Sequence, residues 1–224
     1  MAAEPRFCGL RFQQRPPTWS VQAGVQKVYS DSMGSVTADA ILDRFRRAGA
    51  FLEGHFRLTS GLHSPGYMQS ALVLQHPAEA QACGEAIADG VRGLGVQVVL
   101  SPALGGIVIG HEAGRALGVR AIFAERQDGR LALRRGFQLV EGEHVLVVED
   151  VVTTGGSTRE TIDVARAAGA TVVGAASIID RSGGQQGLDV PYFALVPISL
   201  PTYQPEACPL CAQGIPVIKP GSRT

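Results

Sequence analysis

The chain predicts an α/β fold with a parallel central sheet flanked by helices. Short apolar runs, such as Val98-Val99-Leu100 and Val145-Leu146-Val147-Val148, have the character of strands buried on both faces. Each leads through a turn of glycine or small polar residues into a stretch with apolar positions at helical spacing. Strand, helix and strand then alternate along the chain, the order of a sheet wound with helices on both sides.

The elements follow in order. Thr37 caps a short amphipathic helix carrying Ala40, Ile41, Leu42 and Phe45, and Gly49 ends it. Residues 51–58 read as a strand, with Thr59-Ser60-Gly61 as its turn. Residues 78–92 place Ala82, Ile87 and Val91 on one side of a helix. A strand over 96–100 runs through Gly105-Gly106 into a helix over 107–117. Residues 120–124 form a strand, followed by an arginine-rich, hairpin-like stretch to Phe137. Then come a strand over 144–149, a helix over 157–168 and a strand over 171–179. A short strand near 193–196 precedes a proline-rich tail. In such folds ligands sit at the carboxyl ends of the strands, so the turns after Leu100, Ala124, Glu149 and Ile179 are where chemistry is expected.

Composition narrows the function. The 224 residues suit one domain with extensions, and 45% hydrophobic against 18% charged residues is a globular balance. Twenty basic residues offset twenty acidic ones, so no net field recruits nucleic acid or an anionic membrane. No apolar run approaches the ~20 residues a membrane span requires. Only Lys27 and Lys219 are lysines, so anion handling in the middle of the chain falls to arginine, backbone N–H groups or a metal. Cys8, Cys83, Cys208 and Cys211 are too few for a disulfide framework and fit a reducing, cytoplasmic setting. Residues 1–34 lack both periodicity and a secretory apolar core; they read as a disordered or non-native extension, with the folded domain over 35–224.

The richest segment is Val145-Leu146-Val147-Val148-Glu149-Asp150-Val151-Val152-Thr153-Thr154-Gly155-Gly156-Ser157. A buried strand delivers two adjacent acids, and a Thr-Thr-Gly-Gly-Ser turn opens the next helix. Converging backbone N–H groups, hydroxyl donors and the helix dipole make that turn a monophosphate cradle. The spacing is neither a P-loop nor a dinucleotide fingerprint. The acids would repel phosphate but suit the hydroxyls of the sugar that carries it, so the segment describes a ribose 5-phosphate site. The plain alternative is a Thr/Gly turn with Ser157 as helix cap and Glu149-Asp150 as solvated charge.

This segment resembles the phosphoribosyl-diphosphate (PRPP) signature of the type I phosphoribosyltransferases. Phe56-Arg57-Leu58-Thr59-Ser60-Gly61-Leu62-His63-Ser64-Pro65-Gly66-Tyr67 is similar to the N-terminal hood of the orotate branch, which here covers 37–70. Ser101-Pro102-Ala103-Leu104-Gly105-Gly106 resembles the pyrophosphate loop, and Ile178-Ile179-Asp180-Arg181 the strand whose arginine meets orotate. The resemblance implies that Glu149 and Asp150 hold the ribose hydroxyls and act in catalysis. It implies that Thr153, Thr154, Gly155, Gly156 and Ser157 bind the 5-phosphate, and that Gly105 and Gly106 bind pyrophosphate. Thr153, Arg181 and Tyr67 fall to orotate, and Mg²⁺ arrives with PRPP without direct protein ligands.

The resemblance further implies a homodimer whose mobile catalytic loop, here 125–136, closes over the neighbouring subunit's site. That loop carries no lysine or histidine, leaving Arg126 and Arg130 as catalytic cations, with Arg134 and Arg135 as further charge. The implied reaction converts orotate and PRPP to orotidine 5-monophosphate and pyrophosphate in pyrimidine biosynthesis. Two alternatives stay open: transfer to another nucleobase, or a non-catalytic PRPP-binding regulator, which the lysine-free loop favours. Cys208-Pro209-Leu210-Cys211 is a single Cys-x-x-Cys; zinc wants four ligands, so it reads as a reduced structural pair unless a partner chain or distant residues complete a metal site. His55, His63, His76, His111 and His144 show no ligand spacing and read as packed or surface residues.

Overall fold

The computed structural model describes residues 37–58 and 60–219. The extension over 1–34 and the hood position Thr59 lie outside them. The elements are α1 (Ala38–Arg47), β1 (Phe51–Arg57), β2 (His63–Met68), α2 (Ala71–Leu74), α3 (Pro77–Val91), β3 (Val98–Pro102) and α4 (Gly106–Leu117). These are followed by β4 (Arg120–Gln127), β5 (Arg130–Leu133), β6 (His144–Val152), α5 (Gly156–Ala167), β7 (Thr171–Asp180), β8 (Tyr192–Pro197) and α6 (Pro209–Ala212).

Six strands make the central sheet in the order β5-β4-β3-β6-β7-β8. Five strands, β4, β3, β6, β7 and β8, run parallel, as the apolar runs predict, and β5 adds an antiparallel edge by folding back on β4. The arginine-rich stretch is therefore a hairpin, turned by Asp128 and Gly129, both at positive φ (51° and 83°). Strand alternation assigns the core. Val145 and Val147 of β6 face the layer formed by Ile162 and Ala165 of α5, together with Leu131. Leu146 and Val148 face the opposite layer, with Ile87 and Val91 of α3, Ile109 of α4, and Ile41 and Phe45 of α1. No described helix is long and apolar enough to cross a membrane.

Chain order creates the site. From β3 the chain steps outward to β4, and from β6 it steps the other way to β7. The turns leaving the carboxyl ends of β3 and β6 therefore diverge around a crevice, where open α/β sheets bind ligands. Over this end lies a separate antiparallel pair, β1 and β2, in the position of the expected hood. The tail borders its edges: Tyr203 exchanges backbone hydrogen bonds with His63, at 2.9 Å each way. Further along, Ile218 donates to His55 and accepts from Arg57, both at 2.8 Å.

The helices α3 and α4 meet with almost no space between them. A Cβ on Gly84 would lie 2.6 Å from the Glu112 carbonyl carbon and 2.8 Å from its oxygen, both backbone atoms that cannot swing aside. Gly84→Ala is expected to destabilise the fold by about 1–3 kcal/mol through overpacking. Thermal denaturation checks this, since a domain of this size loses about 2–4 °C of Tm per kcal/mol.

Candidate functional site

Two turns and two strand ends build the site. After β3, residues 103–105 lead into α4, whose first turn opens toward the crevice with Gly105 as N-cap. After β6, Thr153 and Thr154 are exposed, and Gly155 starts α5 in the left-handed region (φ +73°). Gly155, not Ser157, is thus the helix cap. A side chain there would meet the Gln186 carbonyl oxygen at 2.3 Å, so the position requires glycine twice over. The first turn of α5 starts directly after Thr153 and Thr154, and the N–H groups that a helix leaves without intrahelical partners there suit an anion.

The two turns touch. A Cβ on Gly105 would lie 2.7 Å from Asp150 Oδ1, which puts the Asp150 carboxylate directly against the backbone of the opposing turn. Gly106 is equally close-set, its would-be Cβ 3.0 Å from the Val148 carbonyl oxygen. Glu149 faces differently. Its Oε1 accepts from Ser157 Oγ at 2.7 Å and its Oε2 from Thr158 Oγ1 at 2.6 Å. Ser157 therefore offers the cradle its backbone N–H while its hydroxyl is spent on Glu149; each Glu149 oxygen keeps a second lone pair.

The strand register brings a cation to the same rim. Val152 of β6 pairs with Asp180 of β7, so Thr153 and Arg181 are the next residues along. The Arg181 N–H donates to the Val152 carbonyl at 2.8 Å. Arg181 is partly buried, its Nε shielded from water and without a hydrogen-bond partner. Among the described residues no carboxylate forms an ion pair with it. Tyr67 of β2 stands within electrostatic reach of both Arg181 and Asp150.

Every ionisable group here is pushed toward neutrality. Burial raises the carboxyls of Glu149 and Asp150 above their ordinary ranges, against the opposing pull of hydrogen bonds. Burial likewise lowers the Arg181 guanidinium, and it raises the Tyr67 phenol. Oxygen donors alone (carboxylates and threonine hydroxyls) surround the cradle, a set that fits a hydrated divalent cation escorted by its ligand better than a transition metal.

The arginine hairpin stands apart from this constellation. Arg126 donates to the Gly129 carbonyl at 2.7 Å and pairs with Glu160 of α5 at 3.1 Å, whereas Arg130 is exposed on β5. Neither forms a hydrogen bond or ion pair with Glu149, Asp150 or the glycine turns. Arg135 makes a two-pronged pair with Glu125 at 2.8 and 3.0 Å. Sequence reasoning missed Arg159, which ties the Thr154 carbonyl (2.9 Å) to that of Gln186 and so pins the cradle to the loop after β7. Nothing in an exposed helical arginine announces such a role. The larger miss is at the tail. His55 and His63, expected as separate packed or surface residues, meet each other and both thiols of the Cys208/Cys211 pair.

Comparison with known proteins agrees with this architecture. A family model, the phosphoribosyl transferase domain, matches residues 70–196. The chain is 54% identical over 191 residues to an orotate phosphoribosyltransferase of Heliobacterium modesticaldum, covering 84% of this chain and 100% of that protein. It is 52% identical over 188 residues to that of Pelotomaculum thermopropionicum, covering 84% and 99%. Among solved structures, it is similar to the Mycobacterium tuberculosis orotate phosphoribosyltransferase in complex with inorganic phosphate. That match has a TM-score of 0.58 and 22% identity over 71% of this chain and 94% of the other.

A raised native carboxyl pKa has a definite sign. The protonated acid suits the ligand-free fold, so this stabilising contribution of Asp150 is complete below the ordinary carboxylate range and is lost as pH rises through its raised native range. Asp150→Asn removes that dependence. At pH 7 its Tm is expected to equal or exceed that of the unsubstituted chain, by about 2–4 °C per kcal/mol relieved. The gap should close in acid, and calorimetry at both pH values reads it.

Proposed function

Because this chain belongs to the orotate phosphoribosyltransferase family, we propose that it joins orotate to the ribose 5-phosphate of PRPP, giving orotidine 5-monophosphate and pyrophosphate. The observation that carries the assignment of the base is Arg181, a partly buried guanidinium at the crevice rim with an unpartnered Nε and no carboxylate paired to it. A planar, anionic base with a carboxylate supplies what that group lacks, in the two-pronged geometry guanidinium favours. Tyr67 is within electrostatic reach of Arg181 from the hood, and Thr153 and Arg181 each stand one residue past the paired ends of β6 and β7.

The remaining roles follow from chemistry. The 5-phosphate occupies the cradle of Thr153, Thr154, Gly155, Gly156 and the Ser157 N–H. Asp150, against Gly105, and Glu149, braced by two hydroxyls, receive the ribose diol. The N–H groups of Gly105 and Gly106 face the leaving pyrophosphate at the start of α4. Mg²⁺, when carried in with PRPP, would supply charge neutralisation to the pyrophosphate, with no direct protein ligand. A ring nitrogen of orotate attacks the anomeric carbon while the C–O bond to pyrophosphate breaks, so positive charge grows on the ribose beside Asp150. Orientation and charge stabilisation suffice, and no covalent enzyme intermediate is needed.

Within one chain the arginines of the β4–β5 hairpin are not directed at this site. They fit a homodimer in which Arg126 and Arg130 serve the neighbouring copy, with Arg126 released from Glu160 as the site closes. A cytoplasmic location fits the free thiols of Cys83, Cys208 and Cys211.

Orotate consumption, followed by ultraviolet absorbance, should require both PRPP and Mg²⁺. PRPP binding without turnover would instead indicate a sensor, and turnover with a neutral base would indicate a different acceptor. Arg181→Ala is expected to raise KM for orotate by about 10- to 100-fold while leaving KM for PRPP within about threefold. Equal loss for both substrates would remove Arg181 from the base site. Asp150→Asn should lower kcat by about 100-fold or more.

A further inference from the structure

The tail and the hood meet in four side chains that the reaction does not use. His55 of β1 and His63 of β2 stand side by side, with His55 Nε2 2.9 Å from His63 Nδ1. The turn carrying Cys208 and Cys211 brings both sulfurs to the same point. Cys208 Sγ is 3.5 Å from His55 Nε2, and Cys211 Sγ is 3.7 Å from His55 Nε2 and 3.3 Å from His63 Nδ1. One ligand atom from each residue lies within 4.8 Å of all the others. We propose that His55, His63, Cys208 and Cys211 bind one structural Zn²⁺, clamping the C-terminal segment onto the hood.

Size supports the assignment. Zinc at about 2.3 Å from sulfur and about 2.0–2.1 Å from nitrogen, in a tetrahedron, sets its ligands about 3.3–3.8 Å apart. The nitrogen–sulfur separations fall in that range, and the two nitrogens need to open by only a few tenths of an ångström. Proton arithmetic points the same way. His55 Nδ1 lies 2.7 Å from the Ile215 carbonyl, which accepts only, so that nitrogen carries the proton and Nε2 presents a bare lone pair to the cluster. Such an outer bond to a backbone carbonyl is what fixes a metal-bound imidazole.

His55, His63 and Cys208 are all at most 5% exposed, so water does little to satisfy them. On binding, each thiol gives its proton to solvent and becomes a thiolate. Two thiolates and two neutral imidazoles then balance the ion's charge, leaving no net charge at a cluster in which only Cys211 is exposed. Two sulfurs and two nitrogens with no carboxylate select zinc over Mg²⁺ or Ca²⁺. All four positions are filled by protein, so the ion is structural and has no open site for chemistry.

The turn itself fits the role. Gly214 takes a positive φ of 69°, and its N–H donates to the Cys211 carbonyl at 2.9 Å, curling the chain around the sulfurs. The backbone bridges at Tyr203 and Ile218 flank the cluster on either side, so one ion would lock the whole return of the tail.

The test is metal analysis of the full chain, purified without a metal-affinity step from zinc-supplied cells. About one zinc per chain is expected, falling below about a tenth in Cys208→Ser/Cys211→Ser. Should that variant fail to fold, exchange of the unsubstituted chain into Co²⁺ is the second reading. It should give thiolate charge-transfer bands with the absorption of a tetrahedral ion. Chelation should speed amide hydrogen exchange in 55–68 and 203–218 while leaving β3, β6 and β7 unchanged. An unsubstituted chain that holds below about a tenth of a zinc after reconstitution overturns the proposal. So does a Cys208–Cys211 disulfide in freshly prepared protein, or a double variant that retains full zinc.

Discussion

The contact between Asp150 and the Gly105 backbone is the constraint on which the rest depends. It exists because β3 and β6 are neighbours in space although two strands and a helix separate them in sequence, and because the chain leaves them in opposite directions. Only glycine at 105 allows the carboxylate so close. The approach turns two ordinary strand-to-helix turns into one cleft, with helix N-termini on both sides. A pyrophosphate held by one turn and a phosphate held by the other would leave the sugar between them, over the acids. The buried alternation of β6 and the helices packed on both faces hold that spacing to within a side chain's width.

The electrostatics match a site that waits for its ligand. Two carboxyls and one guanidinium belong to neighbouring strand ends, and no ion pair joins them. Burial holds each of them off its preferred charge. Glu149 is braced by Ser157 and Thr158, so its orientation is set in advance; Arg181 is anchored by its backbone to Val152. The fold thus bears the cost of arranging charge before substrate enters, the condition under which such charge acts most strongly on a transition state.

Much of this was legible in the sequence, for local reasons. The strand Val145–Val148, the acid pair and the Thr-Thr-Gly-Gly-Ser turn are contiguous, so one stretch of chain contains its own geometry. Gly105-Gly106 and Arg181 could be placed because parallel strands deliver their ends to one edge. What was not legible depended on distance along the chain. His55 and Cys208 are 153 positions apart, and no spacing rule connects a hairpin to a tail that returns beside it. The facing of Glu149 toward Ser157, and of Arg126 toward Glu160, was also hidden, since a side chain's partner is chosen by packing and not by its neighbours in sequence. The hairpin of 120–133 was visible as a charged reversal, but its regular antiparallel pairing emerges only against the completed sheet edge.

The tail's path has a practical bearing on how this protein is handled. Because Tyr203 and Ile218 each pair with an edge of the β1–β2 ribbon, the tail is part of the hood and not trailing chain. Trimming the gene back to the end of β8 to improve crystals or expression would strip hydrogen-bond partners from His55, Arg57 and His63, and would loosen the platform that carries Tyr67.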